Sequence, residues 1–156
     1  MADEKKWQFS SNRQFPKGIH ENLGLDREDA PAELKNTQCR LFYLDGGVIP
    51  GAPYAEMALM CKSMPDDLSL GHTAHTHPFD EVILFLGTNP AIYPALGGEV
   101  DAYVDGTRHT LTESCILFVP AGTEHAPFMF RKVTTPIIHG GISVGPALTY
   151  KSDPQT

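Results

Sequence analysis

His75-Thr76-His77-Pro78-Phe79-Asp80-Glu81, answered downstream by Pro120-Ala121-Gly122-Thr123-Glu124-His125, is the part of this sequence that decides the fold. Side chains on a strand alternate between faces, so residues two apart point the same way. His75 and His77 therefore share a face. Pro78 bends the chain, Glu81 opens the next strand, and its carboxylate can come back beside the two imidazoles. His125 follows a turn and opens a strand that is remote in sequence but able to close the same end of a barrel. A lone pair of histidines at this spacing also occurs on surface strands. The second segment is what makes a site of it.

Outward from these segments, thirteen Pro and fourteen Gly cut the chain into short pieces separated by turn signals. That punctuation belongs to all-β sandwiches and barrels. Strands are expected at Arg40–Leu44, Tyr54–Lys62, two within His75–Leu86, Glu99–Val104, Arg108–Thr112, Cys115–Val119, His125–Arg131 and Pro136–Val144. Asp105-Gly106-Thr107 is a hairpin signal, and Pro65-Asp66-Asp67 is a turn. No helix of ten or more residues is expected in the barrel. Residues 1–48 read as an irregular arm packing on the barrel or on a partner subunit, with one helical turn at Asp29–Leu34, where Asp caps and Pro suits the first position. Residues 49–150 form the barrel, and 151–156 a tail.

With 156 residues the chain fits one domain. Twelve Lys and Arg against nineteen Asp and Glu give a net charge of −7, which argues against nucleic acid or an anionic membrane as partner. The N-terminus has no apolar run, and Val82–Gly87 is far too short to span a bilayer. Cys39, Cys61 and Cys115 form no tight pair, so the expected location is the cytoplasm, with reduced thiols.

Three neutral imidazoles and a carboxylate suit one divalent transition metal: iron first, and also manganese, nickel, zinc, cobalt or copper, since the same donors accept them all. Four protein ligands leave one or two positions on the ion for substrate, water or dioxygen.

Together, His75-Thr-His77-Pro-Phe-Asp-Glu81 with Gly87, and Pro120-Ala-Gly122-Thr-Glu-His125, resemble the two motifs of the cupin superfamily. The resemblance covers roughly residues 52–146. It implies a jelly-roll β-barrel, a metal on His75, His77, Glu81 and His125, and a homodimer. The chain departs from the pattern in three places. Gly71 lies closer to the histidines than the family places its glycine. Thr88–Leu96 is an added segment, readable as a lid, a pocket wall or a surface loop. Met129 stands where an asparagine is common.

Among other residues, His139 lies in an apolar strand and is a candidate for moving a proton, as is Glu81. His72, on a strand, would face away from His75. Glu99 is an alternative carboxylate, and Asp80 an exposed neighbour of Glu81. Tyr54, Glu56, Met60, Tyr103, Phe128 and Phe130 read as lining or packing. Arg40, Arg108 and Arg131 could each hold a substrate carboxylate. The functional expectation is a metal-dependent enzyme acting on a small oxygen-rich molecule, in its most concrete form a dioxygenase cleaving a C–C bond. The alternatives are an oxygen-independent lyase or isomerase, and a non-catalytic ligand-binding cupin.

Overall fold

A computed structural model describes residues 8–13, 37–64 and 73–144, together with the backbone of 153–154. The strands run β1 (Gln38–Leu44), β2 (Ala55–Met60), β3 (His75–Thr76), β4 (Asp80–Gly87), β5 (Ala95–Val104), β6 (Thr107–Glu113), β7 (Cys115–Val119), β8 (His125–Val133), β9 (Ile137–Val144) and β10 (Asp153–Pro154). Among the described residues the only helical element is a 3₁₀ turn at Pro90–Ile92, and no helix there is long and apolar enough to cross a membrane.

Two antiparallel five-stranded sheets result. The first has the order β1-β2-β9-β4-β7 and the second β10-β3-β8-β5-β6. The expected strands are all present, and the architecture is a jelly roll. β4 shows why these sequences pair as they do. Its odd positions Glu81, Ile83 and Phe85 are buried and its even positions Val82, Leu84 and Leu86 are half-buried, the period-2 pattern of a strand with one face in a core. Phe85 packs with Met60, Leu96, Val100 and Phe130 between the sheets. A smaller cluster of Tyr43, Tyr54 and Phe79 fills the end beside the histidines. In the β5–β6 hairpin, Asp105 (φ 47) and Gly106 (φ 68) both take the left-handed conformation that a two-residue turn of this hand requires.

Several boundaries differ from the sequence reading. β1, in the stretch assigned to the arm, pairs along β2 from Gln38↔Met60 to Leu44↔Ala55 and is a full member of the first sheet. In the stretch assigned to the tail, Asp153 and Pro154 pair with Thr76 and His75. β5 starts at Ala95 rather than Glu99, because Leu96 is a fully buried core residue. The expected helical turn at 29–34, the turn at 65–67, Gly71 and His72 lie outside the described residues.

Candidate metal centre

The bend at Pro78 does more than turn the chain: it carries it from the second sheet, at β3, to the first, at β4. His75 and His77 thus approach from one sheet and Glu81 from the other. His125 opens β8 directly opposite His75, its Cα partner in the ladder. Beside it, the β5–β8 register shifts between Ala102 and Val104, an irregularity of the kind that re-aims side chains next to sites.

The two motifs are also stitched together. The Gly122 N–H donates to the His77 carbonyl at 2.9 Å. Gly122 sits at φ 80, where a Cβ would be unfavourable. Asp80 is half-buried, and its Oδ1 accepts from the Ala121 N–H at 2.8 Å. It therefore holds the turn that delivers His125.

One ring nitrogen from each of His75, His77 and His125 falls within 4.8 Å of the others, a group that can hold a metal ion. All three rings are buried, His125 to 1% exposure. Each Nδ1 faces a main-chain carbonyl: Thr73 at 2.9 Å, Phe79 at 2.7 Å and Thr123 at 3.0 Å. A carbonyl only accepts, so each Nδ1 carries a proton, and each neutral ring keeps its lone pair on Nε2. Phe79 stacks flat on His77, with centroids 4.1 Å apart and planes at 3°, fixing that ring's orientation.

Glu81 Oε2 lies 3.0 Å from His77 Nε2 and 3.2 Å from His125 Nε2. With both rings neutral, a carboxylate would face two lone pairs in a buried site, acceptor against acceptor. Such a cluster calls for positive charge at its centre, as protons on the imidazoles or as a metal ion. The donor set of three imidazoles beside one carboxylate fits a divalent transition metal. Burial alone would raise the Glu81 pKa, but hydrogen bonds from His125 and His77 outweigh it and hold the carboxyl down at about 2. Burial lowers His75. For His77 the burial effect is overcome by the hydrogen bond and charge of Glu81, and the pKa rises.

A cavity of about 330 Å³, counting its open mouth, is lined by His75, Glu81 and His125 of this cluster. Tyr54, Glu56, Ile83, Phe128, His139, Gly140 and Gly141 complete its lining. His139 donates from Nδ1 to the Leu84 carbonyl at 3.1 Å and stacks on Phe85. Burial pushes its pKa down to about 4, so the ring is neutral at pH 7, with Nε2 as an acceptor. Gly141 is required by close approach: a Cβ there would land on Glu81 Oε1.

Other expected candidates fall elsewhere. Glu99 is exposed and paired with Lys132 in the ladder. Arg108 and Arg131 both reach Asp101, at 3.9 and 3.0 Å, and line no part of the cavity. Nor does the segment Thr88–Leu96. It leaves β4 at Gly87, about 20 Å along the strand from Glu81, which disfavours the lid and wall readings.

Glu56 is the residue whose importance the sequence reading missed. Its carboxyl takes a hydrogen bond from the Tyr54 hydroxyl and stands on the cavity wall. Burial, aided by the Glu81 charge, lifts it to about 7 against the pull of Tyr54 and Arg40. The available signal was one acidic residue on the inward face of the otherwise uncharged strand Ala55–Met60.

No protein-family description and no curated protein matches the sequence. Among solved structures, the chain is similar to a cupin superfamily protein from Desulfitobacterium hafniense DCB-2, at 16% identity over 69% of this chain and 74% of that one, with a TM-score of 0.43. KdgF from a Halomonas species aligns at 12% identity over 69% of this chain and 78% of its own, with a TM-score of 0.41. An RmlC-like cupin from Shewanella frigidimarina NCIMB 400 aligns at 19% identity over 68% and 73%, with a TM-score of 0.40. The chain has a jelly-roll fold of two apposed antiparallel sheets, with both histidine motifs meeting at one end of them.

Proposed function

We propose that this protein is a metal-dependent enzyme acting on a small, oxygen-rich organic molecule, in its most concrete form a dioxygenase that opens a C–C bond beside an enolisable or phenolic oxygen. The observation that carries this reading is the convergence of three Nε2-presenting histidines and Glu81 beside a cavity that His75, His125 and Glu81 line and that also holds a second carboxyl, Glu56, in proton-transfer range of neutral pH. His75, His77, His125 and Glu81 would hold the ion. Iron bound there would supply Lewis acidity and one-electron redox chemistry.

The remaining residues divide the work. Glu56, steadied by the Tyr54 hydroxyl, takes the proton from the substrate's hydroxyl or activated C–H; a base with a pKa near the working pH does this best. His139, neutral and fixed by the Leu84 carbonyl, accepts a hydrogen bond from the bound molecule. Phe128 and Ile83 supply an apolar wall against water. Glu56 also favours a second reading, an oxygen-independent isomerase or lyase, because proton transfer to carbon is the core step of both.

The test is an oxygen-electrode screen of β-diketones and catechols with iron-loaded protein, run beside deuterium exchange from D₂O under nitrogen. Oxygen uptake matched to substrate loss, and abolished in His77→Ala, supports the dioxygenase. Exchange without oxygen uptake moves the assignment to isomerase or lyase. Neither signal from metal-loaded protein would withdraw the enzyme reading in favour of a binding module.

A further inference from the structure

The cavity beside the histidine cluster is built in rungs. On the inner face of the first sheet, the β4–β9 ladder sets Glu81 level with Ser143, Ile83 with Gly141, and Phe85 with His139. The β2–β9 register, Ala55↔Ile142 and Ala58↔His139, brings Glu56 level with Gly141. Glu81 thus stands at one end, Glu56 and Ile83 one rung along, and His139 two rungs along, about 14 Å from Glu81 down the strand. Glycine at 141 leaves the middle rung of β9 without a side chain, and one cavity is lined by residues of all three rungs. At the far end His139 is fixed in place. Phe85 stacks on its ring at 4.7 Å between centroids, and Phe128 and Phe130 meet it edge-on at 5.4 and 5.3 Å. The Leu84 carbonyl accepts the Nδ1 proton. Burial in this aromatic box keeps the ring uncharged, so Nε2 carries a lone pair. Among the described residues nothing donates to that lone pair. A buried acceptor left without a donor costs free energy that a bound molecule recovers.

We propose that the molecule accepted here carries a hydrogen-bond donor, a hydroxyl or amino group, at the end away from the histidine cluster, that it carries no anionic group there, and that His139 is the residue that selects it. The proposal rests on the metal-enzyme reading given above and narrows its substrate: chelating oxygens at one end, an apolar middle against Ile83 and Phe128, and a donor at the other end. A carboxylate oxygen only accepts hydrogen bonds. At the far end it would meet the His139 lone pair one rung from the Glu56 carboxyl, acceptor against acceptor in a confined space. Of the arginines expected as anchors for a substrate carboxylate, Arg108 and Arg131 serve Asp101, and the charge of Arg40 acts on Glu56. None of the three lines the cavity.

The test uses the full chain loaded with Co(II), whose visible spectrum reports whether a catechol enters the shell of the metal. Three catechols share the chelating end and differ in one arm: hydroxyethyl, its propyl isostere, and carboxymethyl. Calorimetry gives their affinities for the wild type, for His139→Phe, which keeps the aromatic packing, and for His139→Gln, which keeps a side-chain acceptor. His139→Leu replaces the phenylalanine variant if that one does not fold. The expected result is that the wild type binds the hydroxyethyl form about ten- to a hundredfold tighter than the other two. In His139→Phe that preference disappears, and in His139→Gln part of it returns, with Co(II) content at the wild-type level throughout. A merely structural role for His139 would weaken all three ligands alike. Wild-type binding of the propyl or carboxymethyl form as tight as that of the hydroxyethyl form overturns the inference and leaves the metal-enzyme reading standing. So does a folded His139→Phe or His139→Leu protein that keeps the wild-type preference. Failure of all three catechols to change the cobalt spectrum overturns the inference together with the substrate class proposed above.

Discussion

Gly141→Ala is a one-methyl test of how Glu81 works. The new Cβ would land on Glu81 Oε1 and 3.2 Å from the carboxyl carbon, with Tyr54 Cε1 at 3.7 Å closing the other side. To regain ordinary van der Waals separation the carboxylate must retreat by about 1 Å. That displacement stretches Oε2 away from His77 and His125, to which it now stands at 3.0 and 3.2 Å. Without metal, the substitution weakens two charge-assisted hydrogen bonds and adds overpacking, for a stability loss of about 1–3 kcal/mol. With metal the effect is larger in proportion, since a bond of about 2.1 Å does not tolerate such a shift. The expected loss is about 100-fold in affinity, or about 2.7 kcal/mol. Competition against a chromophoric chelator for Zn(II) or Co(II) measures it, with Glu81→Gln as the reference for a lost carboxylate and circular dichroism to establish folding. A folded Gly141→Ala protein with wild-type affinity would mean that Glu81 is not a ligand held in place by this contact.

The neighbouring glycine should behave differently. In Gly140→Ala the methyl meets the Glu56 main-chain oxygen rather than a side-chain tip, so β2 and β9 are forced apart, and the thermal midpoint should fall whether or not metal is present. Asp80→Ala releases the Ala121 N–H and with it the turn before His125; metal affinity should drop about tenfold, the scale of a lost supporting hydrogen bond, while the apo protein stays folded. For Asp101, burial would raise the carboxyl, but Thr110, Arg131 and Arg108 together lower it. Its contribution is present above the ordinary carboxylate value and lost as pH falls through the depressed one. Asp101→Asn should therefore cost about 1 kcal/mol in urea unfolding at pH 7 and almost nothing in strong acid. His139 has the opposite character, a base kept neutral with its pKa down near 4. The unfolded chain takes up its proton first as pH falls through 6.5. Apo stability should then decline by up to about 1.4 kcal/mol per pH unit between 6.5 and 4, a slope that His139→Phe reduces.

What the sequence disclosed and what it withheld divide along physical lines. The histidine pair, the bend at Pro78, the Asp105-Gly106 turn and the strand at Cys115–Val119 are local features, set by alternation and turn chemistry within a few residues. The convergence of His125 with His75 was legible only because both motifs were present. Glu56 was hidden because its meaning depends on a partner strand: alternation puts it on the inner face of β2, but only the β2–β9 register brings that face to the cavity. Gly140 and Gly141 were opaque for the same reason, since the atoms that exclude a Cβ belong to β2 and β4. Arg108 and Arg131 looked like substrate anchors because a carboxylate partner on an adjacent strand, Asp101, cannot be seen in a linear pattern. The length of β5 was misjudged at Ala95–Gly98 because the glycines there imitate a loop, while Leu96 is locked into the core.

Everything proposed for this site depends on His75, His77, Glu81 and His125 holding one metal ion. Elemental analysis of tag-free protein purified without chelator, beside His125→Ala, tests it most directly. The expected result is about one equivalent of a transition metal per chain in the wild type, or after reconstitution, and near-complete loss in the variant. Full metal content in a folded His125→Ala protein, or a wild-type chain that takes up no metal at all, would contradict it.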